Sequence, residues 1–210
     1  MIGFASGVVI DIADPEKLGR VKVEFPGEGE EAPRTSWCRV ATMMAGNDMG
    51  WVSIPEEGTE VAVGFLSQSG TAVVVGALHN GEDKPPYAND DGSNNLRLFM
   101  SRAGSQMVFD DSSGGEKVGL GAKCSKAGDA TSGSVHQVMD ATSGGLVQSS
   151  GGDVEYSAKG NVKITCASFE VKASANVSVE ANLDAKISGA KTTIQGSAAV
   201  TAAAPQISLG

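Results

Sequence analysis

The sequence predicts an all-β protein: a small closed barrel at the N-terminus, followed by a long β-repeat. Three observations carry that expectation. Glycine makes up 28 of the 210 residues while aromatics are only 5%, a composition of small side chains and frequent turns that disfavours a helical protein. Short β-branched runs broken by turn signals fill the first 80 residues. From Phe169 to Ser188 the chain then alternates apolar and polar residues without exception, the period of a strand with one covered face.

The barrel strands come first. Gly7 to Ile12 and Arg20 to Phe25 flank Asp14-Pro15-Glu16-Lys17-Leu18-Gly19, a turn-forming stretch, and so read as a hairpin. Ser36 to Thr42, Gly58 to Leu66 and Thr71 to Leu78 supply three more strands, the last two joined through Ser67-Gln68-Ser69-Gly70. Five short strands in about 80 residues suggest a closed barrel, most simply a five-stranded OB-fold. Lys84-Pro85-Pro86-Tyr87 ends it, because consecutive prolines cannot continue a hydrogen-bonded ladder. Residues 1–88 are therefore assigned to the barrel. Trp37 and Trp51 lie in or beside apolar runs, which predicts a place in the core.

Residues 89–150 are assigned to a connecting β segment and a Gly/Ser-rich region. Leu96 to Met100 and Gln106 to Phe109 carry strand signals around Ala103-Gly104. Beyond Asp110, blocks such as Ser112-Ser113-Gly114-Gly115 and Ser149-Ser150-Gly151-Gly152 leave runs too short to stand alone, and no regular structure is expected over 121–150. Eight of the ten aromatics precede residue 110, so only the N-terminal part has the bulk for a conventional core.

Residues 151–210 carry the repeat. Odd positions from 169 to 187 read Phe, Val, Ala, Ala, Val, Val, Ala, Leu, Ala, Ile, and the even positions between them are all polar. A large-x-large-x-small unit begins at Val154, Val162, Phe169, Val177, Ala185 and Ile194, advancing by 8, 7, 8, 8 and 9 residues. A period near eight is too short for one chain to cover every side of a solenoid turn, so several chains must share each turn. Three copies about a common axis supply the missing faces and leave no free edge. The expectation is an intertwined trimeric β-helix, with Phe169, Val171, Val177, Val179, Leu183 and Ile187 in the trimer core. A single-chain meander is disfavoured because no turn signal interrupts Phe169 to Ser188, and disorder gives no reason for so strict a partition.

Composition excludes other classes. The net charge is -9, and with five acids and five lysines balanced after Gly151 the excess lies earlier. No basic stripe suited to phosphates is visible, so nucleic acid is not an expected partner. No run approaches the roughly 18 apolar residues of a membrane helix. Met1 to Ile10 lacks the features of a signal peptide, which predicts synthesis in the cytoplasm. Cys38, Cys124 and Cys166 form no C-x-x-C pair.

The N-terminal module resembles the OB-fold domain of phage baseplate assembly protein V and of the VgrG spikes of type VI secretion. The resemblance rests on Leu18-Gly19-Arg20-Val21-Lys22-Val23, Phe25-Pro26, Trp37-Cys38-Arg39-Val40-Ala41, Ile54-Pro55-Glu56-Glu57-Gly58-Thr59-Glu60-Val61-Ala62-Val63-Gly64-Phe65 and Val75-Gly76-Ala77-Leu78-His79-Asn80-Gly81. Arg97, Ser101 to Ser105 and Phe109 to Glu116 are similar to the passage from barrel to needle in such spikes. The resemblance implies a structural, homotrimeric central spike at the tip of the tube of a contractile injection machine, in a virion baseplate or an extracellular particle, helping to puncture the target cell envelope. VgrG proteins carry a hub domain ahead of the barrel. Here only Met1 to Gly3 precede it, which implies a separate hub protein at the N-terminal end. Some phage spikes hold iron through a His-x-His motif, and with no histidine after His136 no metal or other cofactor is expected. The uncapped end, Gln206, Ile207, Ser208, Leu209 and Gly210, is the expected docking site of a PAAR-like tip protein.

No enzyme is expected. Some spikes of this class carry a lysozyme domain, but Asp110, Asp111, Glu116, Asp129 and Asp140 stand among too few large apolar residues for such a scaffold and read as solvated turn residues. His79 and His136 lack a nucleophile motif. Glu28, Glu30 and Glu31 lack the alternating ligand spacing of a calcium loop. The alternatives are an OB-fold single-stranded nucleic-acid binder and the stalk of a trimeric surface adhesin.

Overall fold

A computed structural model of the chain describes residues 3–27, 32–66 and 71–207. All its regular structure apart from one short 3-10 turn is β. Strands β1 (Phe4–Asp11), β2 (Val21–Phe25), β3 (Arg34–Val40), β6 (Glu60–Phe65) and β7 (Ala72–Ala77) close into a barrel in the order β1-β2-β3-β7-β6, with β6 returning to β1. Every neighbouring pair is antiparallel except β3 and β7, which run parallel with Arg39 opposite Val73. These are the five strands the sequence predicts. A two-residue ladder, β4 (Ala45–Gly46) with β5 (Met49–Gly50), projects between β3 and β6.

Alternation decides which side chains fill the barrel. Val21 and Val23 point inward while Lys22 between them faces outward, and Val61 and Val63 repeat the pattern on β6. With Val9, Cys38, Ala72 and Val74 they make a core of β-branched and small residues, against which Phe25, Val40 and Phe65 pack. The tryptophans do not join it. Trp37 lies on the outer face of β3 because its neighbour Cys38 takes the inward position, and Trp51 is 43% exposed.

The β1–β2 connection is organised by one carboxylate. Asp14 accepts hydrogen bonds from the backbone N–H groups of Glu16, Leu18 and Arg20 and from the Arg20 guanidinium, with its side chain only 3% exposed. The loop that wraps it needs left-handed backbone at Lys17 (φ 57°) and Gly19 (φ 70°); glycine adopts that conformation without cost. Arg20 also pairs with Glu16 at 2.9 Å and lies 5.9 Å from the Trp37 ring, which ties the loop to β3.

Five further strands form an antiparallel meander: β8 (Leu96–Met100), β9 (Gln106–Asp110), β10 (Lys117–Ala122), β11 (Val135–Asp140) and β12 (Gly145–Ser150). The expectation of no regular structure over 121–150 is thus corrected, since β11 and β12 lie within it. Its core was hidden by size. The β10–β11 connection, with a 3-10 turn at Ala130–Ser132, folds over one sheet face and places Ala130 and Cys124 against Gly119 and Gly121. A Cβ on Gly119 would sit 2.6 Å from that of Ala130, so glycine is what admits the loop. Gln106, 5% exposed, fastens it by donating to the carbonyls of Lys126 and Asp129 and accepting from the N–H of Gly128.

Residues 1–155 form one compact unit and 156–210 a second. In the second, no strand or helix forms among the described residues, and every one of them is exposed.

The Asp14 clamp predicts an acid-sensitive barrel. Its hydrogen bonds with Arg20 hold the carboxyl well below its ordinary value, so the stabilisation is complete above about pH 4 and is lost as pH falls below it. Asp14→Asn should lower the thermal midpoint at pH 7 and reduce the slope of stability against pH on the acid side; an unchanged slope would show that the clamp contributes nothing.

Candidate interaction surface

The carboxylates named from the sequence are turn fasteners. Asp129 accepts from the backbone N–H of Thr131 at the 3-10 turn, Asp140 accepts from the N–H groups of Thr142 and Ser143, and Glu116 accepts from the Thr142 hydroxyl. Asp111 pairs with Arg97 at 2.6 Å. Asp110 is less solvated than expected, its side chain 12% exposed and 3.6 Å from the Lys117 ammonium. Burial opposes its charge, but the bonds from Ser112 and the Lys117 charge prevail and hold its pKa below the ordinary value. Bonds from Thr131 do the same for Asp129, and those from Ser143 for Asp140. A glycosidase acid requires a carboxyl displaced upward. Asp110, Glu116, Asp129 and Asp140 are displaced downward and act as acceptors.

His136 Nδ1 lies 3.1 Å from the Gly133 carbonyl, in the loop that covers the sheet. Among the described residues no group of three or more His, Cys, Asp or Glu side chains is placed to hold a metal ion. Glu28, Glu30 and Glu31 lie outside the described residues.

The apolar residues expected in a trimer core are all exposed in the single chain: Phe169 67%, Val171 58%, Val177 64%, Val179 80%, Leu183 100% and Ile187 83%. Polar neighbours interact with one another instead, as where Lys172 pairs with Glu170 at 2.9 Å. Of the residues expected at the tip, Gln206 and Ile207 are exposed, and Ser208, Leu209 and Gly210 lie outside the described residues.

The structure adds a surface that the sequence reading passed over. One face of the meander is covered by the β10–β11 connection, and the other carries Phe99, Met107, Phe109, Leu120, Met139 and Leu146, each 36–60% exposed. The barrel reaches one end of it. Trp51, just after β5, meets Phe99 edge-on, with ring centroids 5.9 Å apart and planes at 83°. Met43, Met44 and Met49 around the same hairpin are 54–81% exposed. An exposed ion pair, Arg102 with Glu56 at 3.0 Å, makes a second link between barrel and meander. Met107 and Phe109 were legible as part of a strand signal, whereas Met139 and Leu146 fall in 121–150, to which the sequence assigned no regular structure.

Comparison with known proteins fits this architecture. Residues 5–79 match the family of type VI secretion system/phage-baseplate injector OB domains. That match runs from within β1 to just past β7, the span of the five-stranded barrel. In this region the chain is VgrG-like: it is 39% identical over 80 residues to the type VI secretion system spike protein VgrG2a of Pseudomonas aeruginosa, covering 36% of this chain and 10% of that protein. It is 29% identical over 116 residues to the spike protein VgrG3 of Vibrio cholerae, covering 51% of this chain and 11% of the relative, so the similarity continues past the barrel. It is also 28% identical over 117 residues, 51% of this chain and 11% of the relative, to the actin cross-linking toxin VgrG1 of Vibrio cholerae. The chain spans about a tenth of the length of these relatives.

A double-mutant cycle tests the aromatic link between barrel and meander. Trp51→Ala and Phe99→Ala should show a coupling of about 0.5–1.5 kcal/mol in unfolding free energy, as edge-to-face pairs do. Strict additivity would mean that the rings do not meet in solution.

Proposed function

We propose that the protein is a structural spike: three copies share the C-terminal repeat as a needle, and the assembly sits at the tip of a contractile injection tube and helps to pierce an envelope. The observation that carries this reading is the ten-residue apolar face at 169–187, exposed in one chain and flanked by further repeat units. Burial of each large side chain is worth about 1.5–3 kcal/mol, and identical copies of the same segment are the partners that can give each strand both cover and a ladder. The injector OB domain and the spike proteins among its relatives supply the setting.

The role asked of the needle is mechanical. A strand paired on both sides has no loop or edge to fray under axial load, so stiffness follows from the interchain ladder, with no catalytic step required. In this reading a hub protein joins the barrel end to the tube, and a conical tip protein of the PAAR-like class docks on 206–210.

Native mass measurement should return three chains; a monomer at micromolar concentration would end the proposal. Val179→Asp places three like charges near one dry axis, each unpaired carboxylate costing several kcal/mol, and should abolish or strongly destabilise the assembly. Ser178→Asp on the polar face should be tolerated, and equal behaviour of the two variants would show that the odd positions do not face inward. Deleting Gln206 to Gly210 should leave the three-chain mass unchanged and remove capture of a PAAR-like protein, whereas retained capture would place its docking elsewhere.

A further inference from the structure

The polar face of the repeat carries a charge pattern that burial of the apolar face does not require. The second residue of successive units reads Glu155, Lys163, Glu170, Ser178, Lys186 and Gln195, and the fourth reads Ser157, Thr165, Lys172, Glu180, Ser188 and Ser197. Wherever two consecutive units are both charged at the same place, the signs are opposite: Glu155 with Lys163, Lys163 with Glu170, and Lys172 with Glu180. The steps of 8, 7, 8, 8 and 9 differ only in the connections between the five-residue units, so the comparison runs place by place within a unit rather than by a fixed count. Among the described residues no ion pair joins Lys163 to Glu170 or Lys172 to Glu180 within the chain. Eight residues of extended chain span roughly 26 Å, beyond the reach of screened charges. Lys172 pairs instead with Glu170, two residues away on the same face, at 2.9 Å.

We propose that Lys163, Glu170, Lys172 and Glu180 form a ladder of ion pairs between copies of this chain, across the polar face of the repeat; this rests on the three-chain reading given above. A unit of about eight residues covers one side of a turn, so a chain passes to the next side at each unit and three chains fill every side in rotation. The strand stacked on a given unit is then the following unit of a neighbouring copy, about 4.8 Å away. Val162 lies beside Phe169 and Val171 beside Val179 on the covered face. On the polar face Lys163 of one copy meets Glu170 of the next, and Lys172 meets Glu180. The in-chain pair of Glu170 with Lys172 joins these contacts into an alternating run of four charges.

The signs decide between this stagger and its plainest rival. Copies laid side by side with equal residues at one level would stack Lys172 on Lys172 and Glu180 on Glu180, and like charges directly opposite each other are destabilising. With each copy one unit ahead of its neighbour, every such contact becomes attractive. A single exposed ion pair contributes little. Here the run recurs at all three contacts between copies, so each substitution enters the assembly three times.

Exchanging the two charges within one strand isolates the contacts between copies, because net charge and the in-chain pair are both kept. Glu170→Lys with Lys172→Glu sets lysine beside Lys163 and glutamate beside Glu180. In the full chain it should lower the unfolding midpoint of the three-chain assembly by about 5 °C at about 20 mM salt, and by less than half as much at about 1 M salt. Adding Lys163→Glu and Glu180→Lys inverts the whole run and should restore most of the loss. If the double variant does not assemble, the four-site variant should still return the three-chain mass, and its failure to do so overturns the ladder. A wild-type trimer whose midpoint the exchange leaves unchanged, or a loss that the four-site variant does not recover, overturns the ladder and leaves the trimer standing. A wild-type monomer overturns the reading of the repeat and the ladder with it.

Discussion

The governing constraint is that a β segment with one apolar face needs both cover and ladder partners, and residues 156–207 have neither within their own chain. The barrel meets the same demand internally, and the meander meets it for its ladders and for one of its two faces. Val9, Val23, Val61 and Val74 cover one another because the barrel closes, and the β10–β11 connection covers one face of the meander. The chain thus divides into a part whose strands are paired by their own fold and a part whose described residues form no ladder of their own. The proposed function follows from that division.

The self-sufficient part is held by short-range polar fastenings rather than bulk. Asp14 gathers a loop through backbone N–H groups and Arg20, Gln106 pins a loop to a sheet, and Asp129 and Asp140 cap turns. Acidic residues are useful here because each accepts more than one hydrogen bond from its own turn, the arrangement that holds a carboxylate ionised. The same arrangement makes these groups poor general acids. Carboxylates that read in sequence as solvated turn residues serve, in three dimensions, as fastenings of a compact domain with few large side chains.

The link from barrel to meander is of another kind. Trp51 against Phe99 is an apolar contact reinforced by ring geometry, while the exposed Arg102–Glu56 pair adds little to stability in water. Trp51 is also where the methionine-bearing hairpin adjoins the bare sheet face.

By itself the sequence determined what local pattern can determine. The five barrel strands were legible because β-branched runs alternate between clear turn signals, and β8 and β9 were legible around Ala103-Gly104. The polarity partition at 169–188 was legible because it depends only on neighbours two apart. Tertiary structure decided what depends on contacts between distant residues. It set Trp37 outside the barrel, because Cys38 rather than Trp37 faces the valines, and it made strands of 135–140 and 145–150, whose Gly/Ser-rich surroundings gain order because β11 pairs with β10, β12 pairs with β11, and the Ala130 loop packs on the sheet. It also left one sheet face bare. No local pattern announces that outcome, because whether a face is covered depends on where a connection ten residues away chooses to fold.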